Sequence, residues 1–119
     1  MGGVFALNMA AMDSEFFASV AVHAGAFRDS SDSSILSFAS RKLPVLLIVG
    51  TRYPYFPLST VRETEQAFEA TGFPCELVEL HGHDHNYYRR SDEVNRKAWA
   101  FLSPQRLEAE ARFTVYPYK

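Results

Sequence analysis

The seven residues Leu43-Pro44-Val45-Leu46-Leu47-Ile48-Val49, set between Lys42 and Gly50, carry no polar side chain. A strand with one wet face alternates apolar and polar residues. A continuous run rich in β-branched residues instead needs cover on both faces, the situation of a strand inside a parallel sheet. Parallel neighbours are reached by crossover connections, usually helical and right-handed. The chain must therefore supply helices between its strands.

It does so in alternation. Residues 4–12 read as a helix that is apolar on nearly every side (Val4, Phe5, Leu7, Met9, Met12), and such a helix must be covered all round. Residues 17–24 read as a strand closed by Gly25, residues 28–34 as a polar loop, and residues 35–40 as a short helical turn. After the apolar run at 43–49, residues 59–70 form an amphipathic pattern, with Ser59 or Thr60 as its expected cap and Gly72 as its stop. Residues 75–80 give the third strand. Residues 91–102 give the last main helix, with Val94, Ala98, Trp99, Phe101 and Leu102 expected to face inward. The fold class is α/β: three parallel strands with helices on both faces. Functional loops in such sheets gather at the carboxyl ends of the strands, here near Gly25, Gly50 and His81.

The 119 residues make one domain, with an extra tail at about 104–119 in which 107–112 could continue a helix and 113–116 alternates like a short strand. A formal charge of −2 gives no electrostatic reason to expect nucleic acid or an anionic membrane as partner. Cys75 stands alone, so no intramolecular disulfide can form. The apolar opening lacks a basic residue before Arg28, unlike a secretory signal, and no run approaches the ~20 apolar residues of a membrane span. A cytoplasmic protein is the expectation.

Chemistry concentrates in Leu80-His81-Gly82-His83-Asp84-His85-Asn86-Tyr87-Tyr88. Alternating histidines invite a metal reading, because imidazole is a common metal ligand. The spacing is one residue short of a His-x-His-x-Asp-His pattern, and no second histidine cluster accompanies it. Neither a metal nor any other cofactor is expected. His23, at a strand end, reads as a structural histidine, and the serines at 30, 31, 33 and 34 as loop and cap residues.

The segment Gly82-His83-Asp84-His85-Asn86-Tyr87-Tyr88 resembles the part of α/β-hydrolases that carries the catalytic histidine, in particular esterase D-like and polyhydroxyalkanoate depolymerase-like carboxylesterases. The resemblance makes His85 the general base, with Asn95, Trp99, Phe101 and Leu102 on a closing helix. Residues 43–58 look like the strand and loop of the family's catalytic acid, usually Gly-Thr, one residue, then Asp. In Gly50-Thr51-Arg52-Tyr53 that place is taken by Tyr53, a phenol that is neutral at pH 7. Met1-Gly2-Gly3-Val4 looks like the stretch just after the serine in a Gly-x-Ser-x-Gly-Gly elbow, which would put Met1 at the oxyanion position.

By this resemblance the chain corresponds to the second half of an ester hydrolase, truncated just after its nucleophile. Asp29 (and Asp32 beside it) offers an alternative acid, although loop aspartates more often serve turns and caps. The expected function is a carboxylic ester hydrolase family member, inactive as an isolated chain, whose substrate would be a small-molecule ester once the missing half is supplied. The alternative is a non-catalytic interaction or assembly module derived from a hydrolase. A homo-oligomer is expected, because the strand at 17–24 offers an open edge that 113–116 could exchange to cover.

Overall fold

The structure, a computed structural model, describes residues 2–28, 30–55 and 57–108. Its elements run α1 (Gly2–Met12), β1 (Val20–His23), a short α2 (Ser30–Ser33) continued by a 3₁₀ turn (Ser34–Phe38), β2 (Val45–Gly50), α3 (Leu58–Ala70), β3 (Cys75–Leu80), a 3₁₀ turn (Tyr87–Arg89) and α4 (Ser91–Leu102). The three strands are parallel in the order β1-β2-β3, with Val20 opposite Val45 and Val45 opposite Cys75.

Strand β2 is central and buried at every position, as its unbroken apolar run requires. Its side chains divide by parity. Val45, Leu47 and Val49 enter a core with Leu7 and Ala10 of α1, Leu36, and Val61 and Phe68 of α3. Leu46 and Ile48 enter a smaller core with Leu80 and Val94 of α4. Helices therefore cover both faces, as expected. Each fully buried Val, Leu or Ile contributes about 1.5–3 kcal/mol relative to an exposed one.

Helix α3 ends in a Schellman motif. Phe73 N–H donates to Phe68 O at 2.9 Å and Gly72 N–H to Glu69 O at 3.0 Å, with Gly72 at φ +91°. The Phe68 and Phe73 rings meet edge-on, 5.2 Å apart, completing the apolar contact of that motif.

Several boundaries differ from the sequence expectations. β1 is four residues rather than eight, because the Arg41 guanidinium takes the Phe17 and Ala18 carbonyls that a longer strand would offer its neighbour. β2 starts at Val45 rather than Leu43, since Pro44 has no N–H for a ladder. Residues 30–34 are helical turns rather than part of a polar loop, and they run into the helical turn expected from residue 35, which ends at Phe38 rather than Ser40. Ser34 and Ser37 each donate a hydroxyl to the carbonyl three residues back, and Leu36 is fully buried beneath them. α3 begins at Leu58 with extended Pro57 as its cap residue, so neither Ser59 nor Thr60 caps it. Trp99 is 69% exposed rather than inward. It lies five residues beyond Val94, about 140° around the helix from the buried stripe. Residues 107 and 108 are not helical, and the expected strand at 113–116 lies outside the described residues. Among the described residues no helix is long and apolar enough to cross a membrane.

Candidate active site

The carboxyl ends of the three strands converge on one loop cluster. β1 ends at His23, and Ala24 then turns the chain with φ +57°, a left-handed conformation uncommon for a residue with a Cβ. Its N–H still donates to Ile48 O at 2.7 Å. Beyond it, Gly25 and Gly3 face each other so closely that a Cβ on either would lie 2.9 Å from the other's Cα. This contact lets the first turn of α1 lie against the end of β1.

The loops after β2 and β3 are stitched together. Thr51 N–H donates to Leu80 O, Gly82 N–H to Thr51 Oγ1, and Arg52 N–H to His83 O, at 3.1, 2.9 and 2.9 Å. Gly50 admits this arrangement, since a Cβ there would stand 1.9 Å from His83 O. Gly82 turns the β3 loop at φ +74°. Farther along, Asp84 Oδ1 accepts Asn86 N–H, and Tyr87 Oη donates to Asn95 Oδ1 on α4 at 2.7 Å. The backbone hydrogen bond from Asn86 holds the Asp84 carboxyl below its ordinary pKa.

His85 projects from this loop between two tyrosines. Its ring centroid is 5.1 Å from that of Tyr53 and 5.2 Å from that of Tyr55, the latter edge-on. The three rings line a cleft of about 600 Å³ with Val4 of α1, Ala26 and Arg28. Tyr53 Oη donates to Ala24 O at 3.3 Å, and burial followed by the nearby Tyr55 pushes its pKa up, so it stays a neutral phenol. Of the four site residues read from the sequence, His85 and Tyr53 are thus brought together, while Met1 and Asp29 lie outside the described residues. Asp32 is engaged with Arg28, accepting from its guanidinium and its backbone N–H, which holds the carboxyl below its ordinary pKa.

Two features had no sequence signal. His23 and His83 join through their Nε2 atoms at 2.9 Å, and His83 is almost fully buried. Burial lowers both pKa values; the charge of His83 and then of His85 adds to the effect at His23, and Arg90 adds to it at His83. Thr64 on α3 is also buried, accepting Phe27 N–H and donating to Thr60 O, each at 2.9 Å. It anchors the wall of the cleft.

Cys75 is no substitute nucleophile. It lies at the amino end of the sheet, opposite the cleft, and its thiol is pushed up to about 12 by burial and by Glu65, Glu69 and Glu76. Among the described residues no group of three or more histidine, cysteine, aspartate or glutamate side chains could hold a metal ion.

Solved structures with the same fold include esterase PE8 (20% identity, TM-score 0.69, covering 88% of this chain and 46% of that one). SOBER1 of Arabidopsis thaliana matches at 20% identity and TM-score 0.63, over 81% of this chain and 49% of that one. The propionate-bound Est2 esterase of Thermogutta terrifontis matches at 16% identity and TM-score 0.51, over 72% and 40%. At these identities the likeness speaks to the fold, and the chain spans about half the length of the first two structures. No curated protein sequence matches the chain. The Dienelactone hydrolase family, however, matches residues 1–110, nearly the whole chain. The chain belongs to the dienelactone hydrolase family, within the α/β-hydrolases.

Proposed function

We propose that this chain supplies the histidine side of a carboxylic ester hydrolase site, of the esterase D-like kind, and that the 119 residues alone do not turn over esters. The observation that carries this reading is the placement of His85. Its imidazole lines the cleft at the carboxyl ends of the strands, flanked by Tyr53 and Tyr55, and Val4 of α1 lines the same cleft. A nucleophile just ahead of α1 would face that imidazole. His85 would then take the hydroxyl proton as the serine attacks the ester carbonyl, and return it to the leaving alcohol.

The acid is the weak point. A carboxylate would orient the imidazole and stabilise its charged form, whereas neutral Tyr53 spends its hydroxyl on Ala24 O. Losing the nucleophile or base of such a triad costs roughly a million-fold in turnover. The activity of the complete protein is part of this proposal, with a small-molecule ester as its substrate class.

Hydrolysis of p-nitrophenyl esters and labelling by a fluorophosphonate test the reading. The 119-residue chain should show neither above background. Labelling at any serine from Ser14 to Ser103 would overturn the predicted inactivity, and, with a nucleophile supplied ahead of α1, turnover that survives His85→Ala would remove His85 from its role.

A second reading, a homo-oligomeric assembly module, is favoured by one separate observation. An apolar groove of about 310 Å³ between α1 and β1 is lined by Phe5, Met9, Phe17 and Val20, with Phe5 65% exposed. Among the described residues β1 pairs with β2 alone, which leaves its other edge for a second copy of the chain. Sedimentation of a monodisperse monomer at micromolar concentration would exclude it.

A further inference from the structure

His23 closes β1 and His83 follows β3, so their bond joins two strands that are not neighbours and passes over the end of β2. The nitrogens are 2.9 Å apart and the ring centroids 5.1 Å, so the rings meet nearly end to end. That is the geometry of one N–H···N bond between a donor ring and an acceptor ring, not of two lone pairs converging on a metal ion. A neutral imidazole offers one donor and one acceptor nitrogen, whereas a charged one offers two donors. With both rings charged, two N–H groups would confront each other and the bond would be lost.

The same His83 is tied through its backbone to both other strand ends. Its carbonyl receives Arg52 N–H beyond β2, and its N–H donates to Leu80 O of β3 at 3.2 Å. His85 is two residues farther along. We propose that His23 and His83 form a proton-dependent latch that holds the His85 loop on the sheet. This is a positioning role, since neither ring lines the cleft, and it rests on the reading of His85 as the base.

The groups that face the pair bear on its charge. His85 and the Tyr87 ring, 6.0 Å from that of His23, stand on the His23 side. Around His83, Arg90 and His85 oppose a further proton while Asp84 and Glu93 favour one. Arg90 is itself bonded to Glu93, and β2 and the residues just after it contribute only backbone, through Gly50 and Arg52. Burial then keeps the latch closed near neutrality and leaves acid to open it.

Amide exchange of Arg52, Gly82 and His83, read by NMR on the full chain beside the ring-current-shifted protons of His85, tests the latch. Between pH 8 and pH 5, after correction for intrinsic rates, these three amides should lose at least tenfold protection relative to those of α3. The His85 ring signals should move toward free-histidine positions as they do. His23→Leu should give the low protection at both pH values. His23→Gln, whose amide can still bond His83, should restore it at both and abolish the acid sensitivity. Unchanged protection in the wild type while both imidazoles titrate would overturn the latch, as would wild-type protection in His23→Leu. If His23→Leu fails to fold, the wild-type titration and His23→Gln decide. His85→Ala should leave the three amides protected, so failure of the latch and failure of His85 as base give different results.

Discussion

The two ends of the cleft-bearing layer are built in opposite ways. Around Gly50 and His83 the backbone donors of Thr51, Arg52, Gly82 and His83 are all bonded, and at Gly50 the contact is too close for even one added methyl group. Along α1 and the edge of β1, by contrast, Phe5, Met12, Phe16 and Phe17 all stand at least 40% exposed, and little but apolar surface marks the region. One region has its partners within the chain and is specified by hydrogen bonds. The other presents exposed apolar side chains, and surface alone specifies geometry loosely. In this chain, local completeness tracks proximity to the histidine loop.

That contrast can be broken at several points. The largest effect is expected at the shared core. Leu47→Ala, at a fully buried position of β2, should destabilise by about 2–5 kcal/mol and shift the urea midpoint accordingly. A loss under about 1 kcal/mol would mean that β2 is not the packed centre of the sheet. Next comes the stitched end. Gly50→Ala should cost about 1–3 kcal/mol through overpacking and expose the Arg52 amide to exchange, because His83 O must move to admit the methyl group. Retained protection of that amide would show that the loops are not locked together.

Acid should weaken the stitched end as well. The folded His23 and His83 have pKa values below 6.5, while in the unfolded chain they lie near 6.5. Above pH 6.5 neither state binds the extra proton and the full contribution is present. As pH falls from 6.5 toward the folded values, the unfolded chain takes up protons that the folded chain refuses, and stability is lost. Urea midpoints at pH 7.5 and 5.5 should fall in that order, with a smaller difference in His23→Leu. An equal difference in that variant would clear the pair of responsibility. The smallest effect is expected on the open flank. Phe5→Gln should change stability by no more than about 0.5 kcal/mol while reducing self-association in sedimentation. A large loss of stability would mean that Phe5 belongs to the chain's own core.

The legible parts of the fold were those governed by local pattern. β3 and α4 have the expected bounds, and β2 departs at its start, where Pro44 withholds an N–H, and by one residue at its end. The shortened β1 depends on Arg41, more than twenty residues away, and the placement of Trp99 on an angle around α4 that a list of apolar residues conceals. The nearness of His85 to Tyr53 follows from strand order once the sheet is parallel. The bond between His23 and His83, sixty positions apart, does not, since nothing local distinguishes a histidine with a partner from one without. Thr64 was hidden for the same reason: its hydroxyl answers an N–H on another element.

Ala24 and Tyr53 together bear on how this lineage could change. Ala24 holds a left-handed turn, a conformation costing about 1–2 kcal/mol without glycine, and its carbonyl is the acceptor for the Tyr53 hydroxyl. An aspartate at position 53 would be acceptor-only when ionised and would withdraw that donor from the turn. Placing an acid at position 53 is therefore not a neutral step. The tyrosine works as a ratchet tooth. Substitutions at positions 53 and 24 are therefore coupled, and the order in which they are made decides whether the intermediate folds as well as its parent.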